Sequence, residues 1–307
     1  MIHEVHTDAL QLLHRGKVRD SFRIDDGRRL LVVTDRISAF DLKLSPDVPG
    51  KGAVLNTLSA WWFERTKHIV SNHCLSLPDE QAMLVREATP LKLEVVVRGY
   101  AAGSLWRAYE AGRRDYAGVM LPEGLRKHDR LPAAVLTPTT KEASDREISR
   151  DEALELGLLT ESQYDRIQQI ALKLYAEGAR TAEAQGLLLA DTKYEFGLAG
   201  DELILIDEIH TPDSSRYWDA ADYARDQSNV ESFDKDVVRR WMLANKDGGG
   251  FRTTLPAEIV AETAVRYRTL FHKLTGSEAP IARADALSEL MKHLAAANLL
   301  RPSLEQS

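Results

Sequence analysis

The sequence holds a single cysteine, Cys74, in 307 residues. No intrachain disulfide is possible, and a thiolate metal centre, which needs several sulfur ligands, is excluded. Cys74 has no neighbouring catalytic partner and reads as a small, half-buried residue. No apolar run approaches the ~18–20 residues of a membrane span. The start, MIHEVHTDAL, lacks a basic segment followed by an apolar block, so no secretion signal is expected and a reducing cytoplasm is the default. Positive charge is not in excess: 40 Lys and Arg against 47 Asp and Glu leave −7. That balance argues against nucleic acid or a membrane surface as partner, while leaving room for a local basic pocket around a phosphorylated small molecule. Internal repeats and low-complexity segments are absent, and the histidines make no metal-binding spacing.

What is present is an ordinary soluble composition, 44% apolar and 28% charged, on a chain long enough for two packed lobes. Strand-like runs fill the first part: Leu30–Asp35 (LLVVTD), Met83–Arg86, and Leu91–Val97 with its three adjacent valines. Asn56–Arg65 has helical spacing. Residues 112–138 carry many Gly, Pro and charged residues and read as irregular, with turns near Gly118 and Pro132. Beyond them, Ser149-x-x-Glu152 and Thr160-x-x-Gln163 look like capping boxes. The second opens a helix with Tyr164, Ile167, Ala171 and Leu174 on one face and Gly186 as its stop. A hairpin follows, Leu187–Phe196 and Leu203–Ile209. Pro256 opens a helix that ends at Gly276, and a last helix is expected over Ile281–Leu299. These elements predict an α/β fold of the α+β type, with a strand-rich lobe over residues 1–97 and a mixed lobe over 98–307 that ends in helices.

The chemistry concentrates in LLLADTKYEFGLAGDELILIDEI, Leu187–Ile209. On a strand Asp191, Lys193 and Glu195 share one face. Three charges on an apolar strand either face solvent or converge on a charged ligand. Asp207 on the returning arm adds a carboxylate, and two carboxylates on facing arms suit Mg²⁺; an exposed hairpin with alternating polar residues is the competing reading. RGKVRD (Arg15–Asp20) places Lys17 and Arg19 at alternate positions after a glycine. It is not a Walker loop, and a basic surface turn is the alternative. RGYAAGS (Arg98–Ser104) offers an arginine fork at a strand end, with Ser104 able to cap a helix over Leu105–Ala111. TPDSSRYW (Thr211–Trp218) carries Asp213 in turn chemistry and Arg216 as a second fork, or as a surface arginine. In TPTTKEASDREIS (Thr137–Ser149), Lys141 could reach a phosphate and Asp145 or Glu147 a metal or proton; a mobile charged loop fits equally well. His210, beside the acidic pair, reads as structural.

Together these segments resemble the phosphoribosylaminoimidazole-succinocarboxamide synthase (SAICAR synthetase) family. LEVVVRGYAAGS (Leu93–Ser104), LADTKYEFG (Leu189–Gly197) and DEIHTPDSSRYW (Asp207–Trp218) carry the resemblance. RGKVRD, TDRISAFD (Thr34–Asp41) and TPTTKEASDREIS follow the family's order, so matching motifs run from Arg15 to Trp218. The family often has proline two residues before the glutamate matching Glu94; here that residue is Lys92.

The resemblance implies a two-lobed α/β fold distantly similar to protein kinases and ATP-grasp enzymes. It implies an ATP-dependent carboxylate–amine ligase of purine biosynthesis that joins L-aspartate to carboxyaminoimidazole ribonucleotide (CAIR), releasing ADP and phosphate, with Mg²⁺ and with residues 1–97 covering ATP. It places Lys17, Arg19 and Lys141 on the triphosphate, Glu94 near the nucleotide, and Glu195 and Asp207 on the metal. Arg98, Ser104 and Arg216 would bind the ribonucleotide, while Asp191, Lys193 and Asp213 would orient the imidazole substrate or aspartate. Asp191 and Lys193 are the catalytic candidates. Monomer and homodimer are both compatible with the sequence. The competing functions are a kinase-like phosphotransferase acting on another small molecule and a nucleotide-binding regulator without turnover.

Overall fold

The computed structural model describes residues 1–141, 146–246, 248 and 250–300. It divides into two compact units that are not consecutive in sequence. Unit 1 comprises Met1–Trp61, His73–Glu87 and the chain from Asp234 onward; unit 2 comprises Trp62–Asn72 and Ala88–Phe233. Position 97 lies inside one continuous strand, Thr89–Tyr100.

Unit 1 is built on an antiparallel sheet in the order Gln11–Arg15, Arg19–Arg23, Arg28–Val33, Ala82–Arg86, Cys74–Asp79. Phe22, Leu30, Val32 and Leu84 from this sheet bury against Ile2, Val5 and the Leu290–Leu294 ridge of helix Ala286–Ala296. Each fully buried side chain of this kind contributes roughly 1.5–3 kcal/mol. A second cluster joins Ile37, Leu44 and Val48 to helices Asp236–Ala244 and Ala257–Thr275. The latter ends at Gly276 with φ 71°, as the sequence predicts. Helix Lys51–Thr66 begins five residues before the expected Asn56. Its first turn is anchored by the buried Asp35, which accepts from Gly52 N–H at 2.9 Å and so satisfies a donor the helix leaves open.

Unit 2 centres on two long antiparallel strands, Thr89–Tyr100 and Leu187–Ala199. Arg130–Thr140 lies outside the first, while Glu202–Ile206 and Ser215–Asp219 pair with opposite halves of the second. Helix Glu161–Glu183 packs on Leu187–Ala199 and opens on the full Thr160–Gln163 capping box. At Ser149 the side chain accepts from Glu152 N–H.

The irregular stretch expected over 112–138 is corrected in its second half, since Arg130–Thr140 is an eleven-residue strand. Pro132 and Pro138 disguise it. They are tolerated because this is an edge strand, with a register irregularity between Arg130 and Val135. Among the described residues no helix is long and apolar enough to cross a membrane.

Candidate active site

Two constellations share the face of the central strands in unit 2. The first is an arginine fork. Strand pairing sets Asp191 opposite Arg98 on one side and Arg216 on the other. The Asp191 carboxylate accepts from Arg98 Nη1 at 3.4 Å and from Arg216 Nη1. Arg98 also donates through Nε to Thr137 Oγ1 and through Nη2 to Ser104 Oγ, each at 3.0 Å. Two guanidinium groups around one carboxylate leave net positive charge, which suits a phosphate or a second carboxylate. Ser104 does not cap its helix: Gly103–Glu110 starts two residues earlier than expected with Ala102 as N-cap, and the hydroxyl is drawn instead to Arg98.

Tyr116 completes this fork and was not singled out in the sequence. Its hydroxyl lies 2.8 Å from Ser104 Oγ and 2.6 Å from Glu147 Oε1, and its ring is 5.5 Å from the Arg98 guanidinium. It comes from the short hairpin Asp115–Tyr116 and Val119–Met120, inside the stretch read as irregular. A lone tyrosine among turn residues carries no spacing signal. Thr137 was likewise hidden, by the proline beside it.

The second constellation is a chain of alternating charges. Glu94 and Glu195 face each other across the Thr89–Tyr100 and Leu187–Ala199 pairing. Lys193 Nζ bridges them, at 2.8 Å from Glu94 and 2.7 Å from Glu195. Lys141 Nζ contacts the other oxygen of Glu195. Burial pushes the Glu195 carboxyl up, but the Lys193 ammonium, then that of Lys141, outweighs it and holds the group well below the usual carboxylate range. Burial likewise opposes the Lys193 charge, yet Glu195, then Glu94 and Asp207, hold the ammonium above its ordinary value. Lys193 and Glu195 therefore both stay charged at neutral pH. Asp207 follows Ile206, the cross-strand partner of Glu195, and sits at φ 70°. That left-handed geometry is uncommon outside glycine, and Asp tolerates it better than most residues.

The opposite face of the same strand enters the core. Thr192 Oγ1 meets Ser215 Oγ at 2.7 Å, and Tyr194 Oη lies 2.6 Å from His210 Nε2. His210 is fully buried, edge-on to Trp62 with centroids 4.6 Å apart. Burial pushes its pKa down to about 3, so the imidazole is neutral. Its structural reading fits this enclosure. Asp213 lies in the turn after it, where its N–H donates to Thr211 Oγ1 at 3.2 Å.

Lys17 and Arg19 belong to unit 1. Lys17 is half-exposed in the turn after Gln11–Arg15 and lies 2.5 Å from Asp41, while Arg19 opens the next strand opposite Val33. The other candidates, Glu94, Arg98, Ser104, Lys141, Asp191, Lys193, Glu195, Asp207, Asp213 and Arg216, all belong to unit 2. Asp145 lies outside the described residues.

A SAICAR synthetase family model matches residues 12–252. The chain belongs to the SAICAR synthetase family. Family members are ATP-dependent ligases that join L-aspartate to CAIR in purine biosynthesis, and this chain is such an enzyme. A phosphoribosylaminoimidazole-succinocarboxamide synthase of Cytophaga hutchinsonii is 43% identical over 271 residues, 86% of this chain and 87% of that protein. The SAICAR synthase of Saccharomyces cerevisiae, solved in complex with SAICAR, superposes with a TM-score of 0.78 at 35% identity, covering 91% of this chain and 99% of the yeast chain. A type-2 SAICAR synthetase solved in complex with ADP gives a TM-score of 0.69 at 25% identity, covering 88% of this chain and 100% of that one.

Proposed function

We propose that the chain activates the CAIR carboxylate as an acyl phosphate and that the two constellations on Leu187–Ala199 hold opposite ends of this substrate. The observation that carries the reading is their arrangement. Asp191, with its two arginines, and Glu195, with its two lysines, are four residues apart on one strand, roughly 13 Å. One end is an anion fork and the other an acid–base cluster, commensurate with the phosphate and the carboxyimidazole of one nucleotide.

A carboxylate is a poor acyl donor at neutral pH. Transfer of the ATP γ-phosphoryl to its oxygen releases ADP; the aspartate amine then attacks the acyl carbon, expels phosphate and gives up a proton. Little covalent help is needed, and fixed cations supply most of the acceleration. Arg98, Ser104 and Arg216 bind the ribonucleotide. Lys17, Arg19 and Lys141 are the cations assigned to the ATP phosphates, and Glu94 is the carboxylate assigned to the nucleotide. Asp191, Lys193 and Asp213 orient the imidazole substrate and aspartate.

Mg²⁺ fits the donor chemistry. Glu195 and Asp207 offer only carboxylate oxygens, and this ion takes one or two protein carboxylates with water and phosphate completing its shell. Among the described residues no group of three His, Cys, Asp or Glu is placed to hold a metal unaided. When bound, the ion neutralises charge on the transferred phosphoryl group. A cytoplasmic monomer or homodimer, without nucleic-acid or membrane partners, accords with the net charge of −7.

The test is ADP release with Mg²⁺, ATP and CAIR, with and without L-aspartate. Turnover that requires aspartate and yields the succinocarboxamide supports the ligase. Turnover indifferent to aspartate points to a phosphotransferase, and nucleotide binding without ADP release points to a regulator.

A further inference from the structure

The segment TDRISAFD has no role in the site described above. In unit 1 it runs beneath the turn that carries Lys17. Thr34 donates to Val18 O twice, through N–H at 3.0 Å and through Oγ1 at 2.8 Å. Arg36 donates through Nε to Lys17 O at 3.1 Å and through Nη2 to Gly16 O at 3.2 Å. Three consecutive carbonyl oxygens of the turn are thereby held on the Thr34–Arg36 side. The Arg36 guanidinium is 3% exposed and is held by the wholly buried Asp20 at 2.7 Å and by His3 O. A buried guanidinium used mainly on backbone carbonyls is an unusual investment for a surface turn, because its desolvation is costly unless every donor is matched. At the far end of the same segment, a two-residue hairpin tip places Phe40 and Asp41 at φ 49° and 62°. Asp41 is thereby set 2.5 Å from Lys17 Nζ, with Lys17 half-exposed and Asp41 exposed.

We propose that Thr34–Asp41 is the positioning device of the polyphosphate turn. Arg36 and Thr34 draw the carbonyl dipoles of Gly16, Lys17 and Val18 away from an incoming polyanion, and Asp41 is the counter-ion that the nucleotide phosphates displace from Lys17. Backbone oxygens left facing a polyphosphate would repel it, and a turn free to rotate would lose Lys17 from the position it must hold. The exposed Lys17–Asp41 pair is weak enough to exchange, since solvent screens such pairs. This inference rests on the reading of Lys17 as a phosphate-binding cation.

The experiment compares KM for ATP, KM for CAIR, kcat and direct ADP binding across a set of variants. Arg36→Met is expected to raise KM for ATP and Kd for ADP ten-fold or more while leaving KM for CAIR within two-fold, and Arg36→Lys to recover part of the loss. Thr34→Val keeps its shape and loses one hydroxyl bond; it is expected to raise KM for ATP about three-fold. Asp41→Asn is expected to lower KM for ATP and Kd for ADP about three-fold at low ionic strength, with the gain vanishing in high salt. If Arg36→Met fails to fold, the Thr34 and Asp41 variants decide. Equal changes in all Michaelis constants, or melting-temperature loss without a nucleotide-specific effect, overturn the proposal. Lys17→Ala separates the two levels: normal ADP binding in that variant refutes the reading of Lys17 itself, whereas weakened binding there, with no effect from Arg36, Thr34 or Asp41, refutes only the positioning role.

Discussion

At the scale of single residues, environment separates groups that look alike in sequence. Lys193 and His210 flank the same hairpin, yet one faces the site between two carboxylates and the other is sealed in the core. Their linkage to pH differs accordingly. Lys193 is raised, so its contribution is complete below the unfolded lysine pKa and is lost only as pH rises through its folded value. Glu195 is lowered, so its contribution is complete above the unfolded glutamate pKa and is lost only as pH falls through its folded value. The Lys193–Glu195 pair is therefore insensitive to pH from about 5 to 10. His210 is different: lowered to about 3, it stays neutral when folded while the unfolded chain takes up a proton below about 6.5. Stability due to His210 is full above that pH and falls as pH drops towards 3, by up to about 1.4 kcal/mol per pH unit. Urea unfolding of His210→Gln between pH 4.5 and 7.5 is expected to show a slope shallower by close to one proton. A slope equal to that of the unmodified chain would mean another group sets the acid limit.

Among elements, helix Glu161–Glu183 shows how packing reverses a local preference. Gly178 sits inside it, where alanine is the better helix former by about 1 kcal/mol. A Cβ at this position would run into the His210 imidazole. That ring is fixed by Tyr194 and stands against Trp62, so it has little room to yield. Overpacking typically costs 1–3 kcal/mol, and the clash outweighs the propensity gain. We expect Gly178→Ala to destabilise by about 1–2 kcal/mol in chemical denaturation. It should also lower ligase activity, because His210 ends the turn that begins at Asp207. An alanine that stabilises the chain would show that the ring moves freely. The Arg130–Thr140 strand teaches the converse lesson. Its prolines oppose a central strand but not an edge strand, and edge or centre is a property of the sheet.

For the whole molecule, the proposed metal makes a direct expectation. Excess EDTA should abolish aspartate-dependent ADP release, and Mg²⁺ should restore it. Glu195→Gln and Asp207→Asn should each raise the Mg²⁺ concentration for half-maximal rate at least ten-fold. Turnover that persists in EDTA would remove the metal role of both carboxylates.

The sequence by itself was enough for the family, since six ordered motifs from Arg15 to Trp218 are carried by residue identity. It was enough for the helix Ala257–Thr275, whose stop is local chemistry at Gly276. It also set the shared face of Asp191, Lys193 and Glu195, which follows from a two-residue period. What it left open at that strand, solvent or a charged partner, was decided by tertiary structure. Glu94, on a strand distant in sequence, and Lys141, just past the end of Arg130–Thr140, pair with Lys193 and Glu195. The place of Tyr116 beside Ser104 and the hold of Arg36 on the Lys17 turn were likewise invisible beforehand. These contacts join residues 12 to 99 positions apart. Periodicity reports which face a side chain takes, but only sheet order and register determine what meets it there.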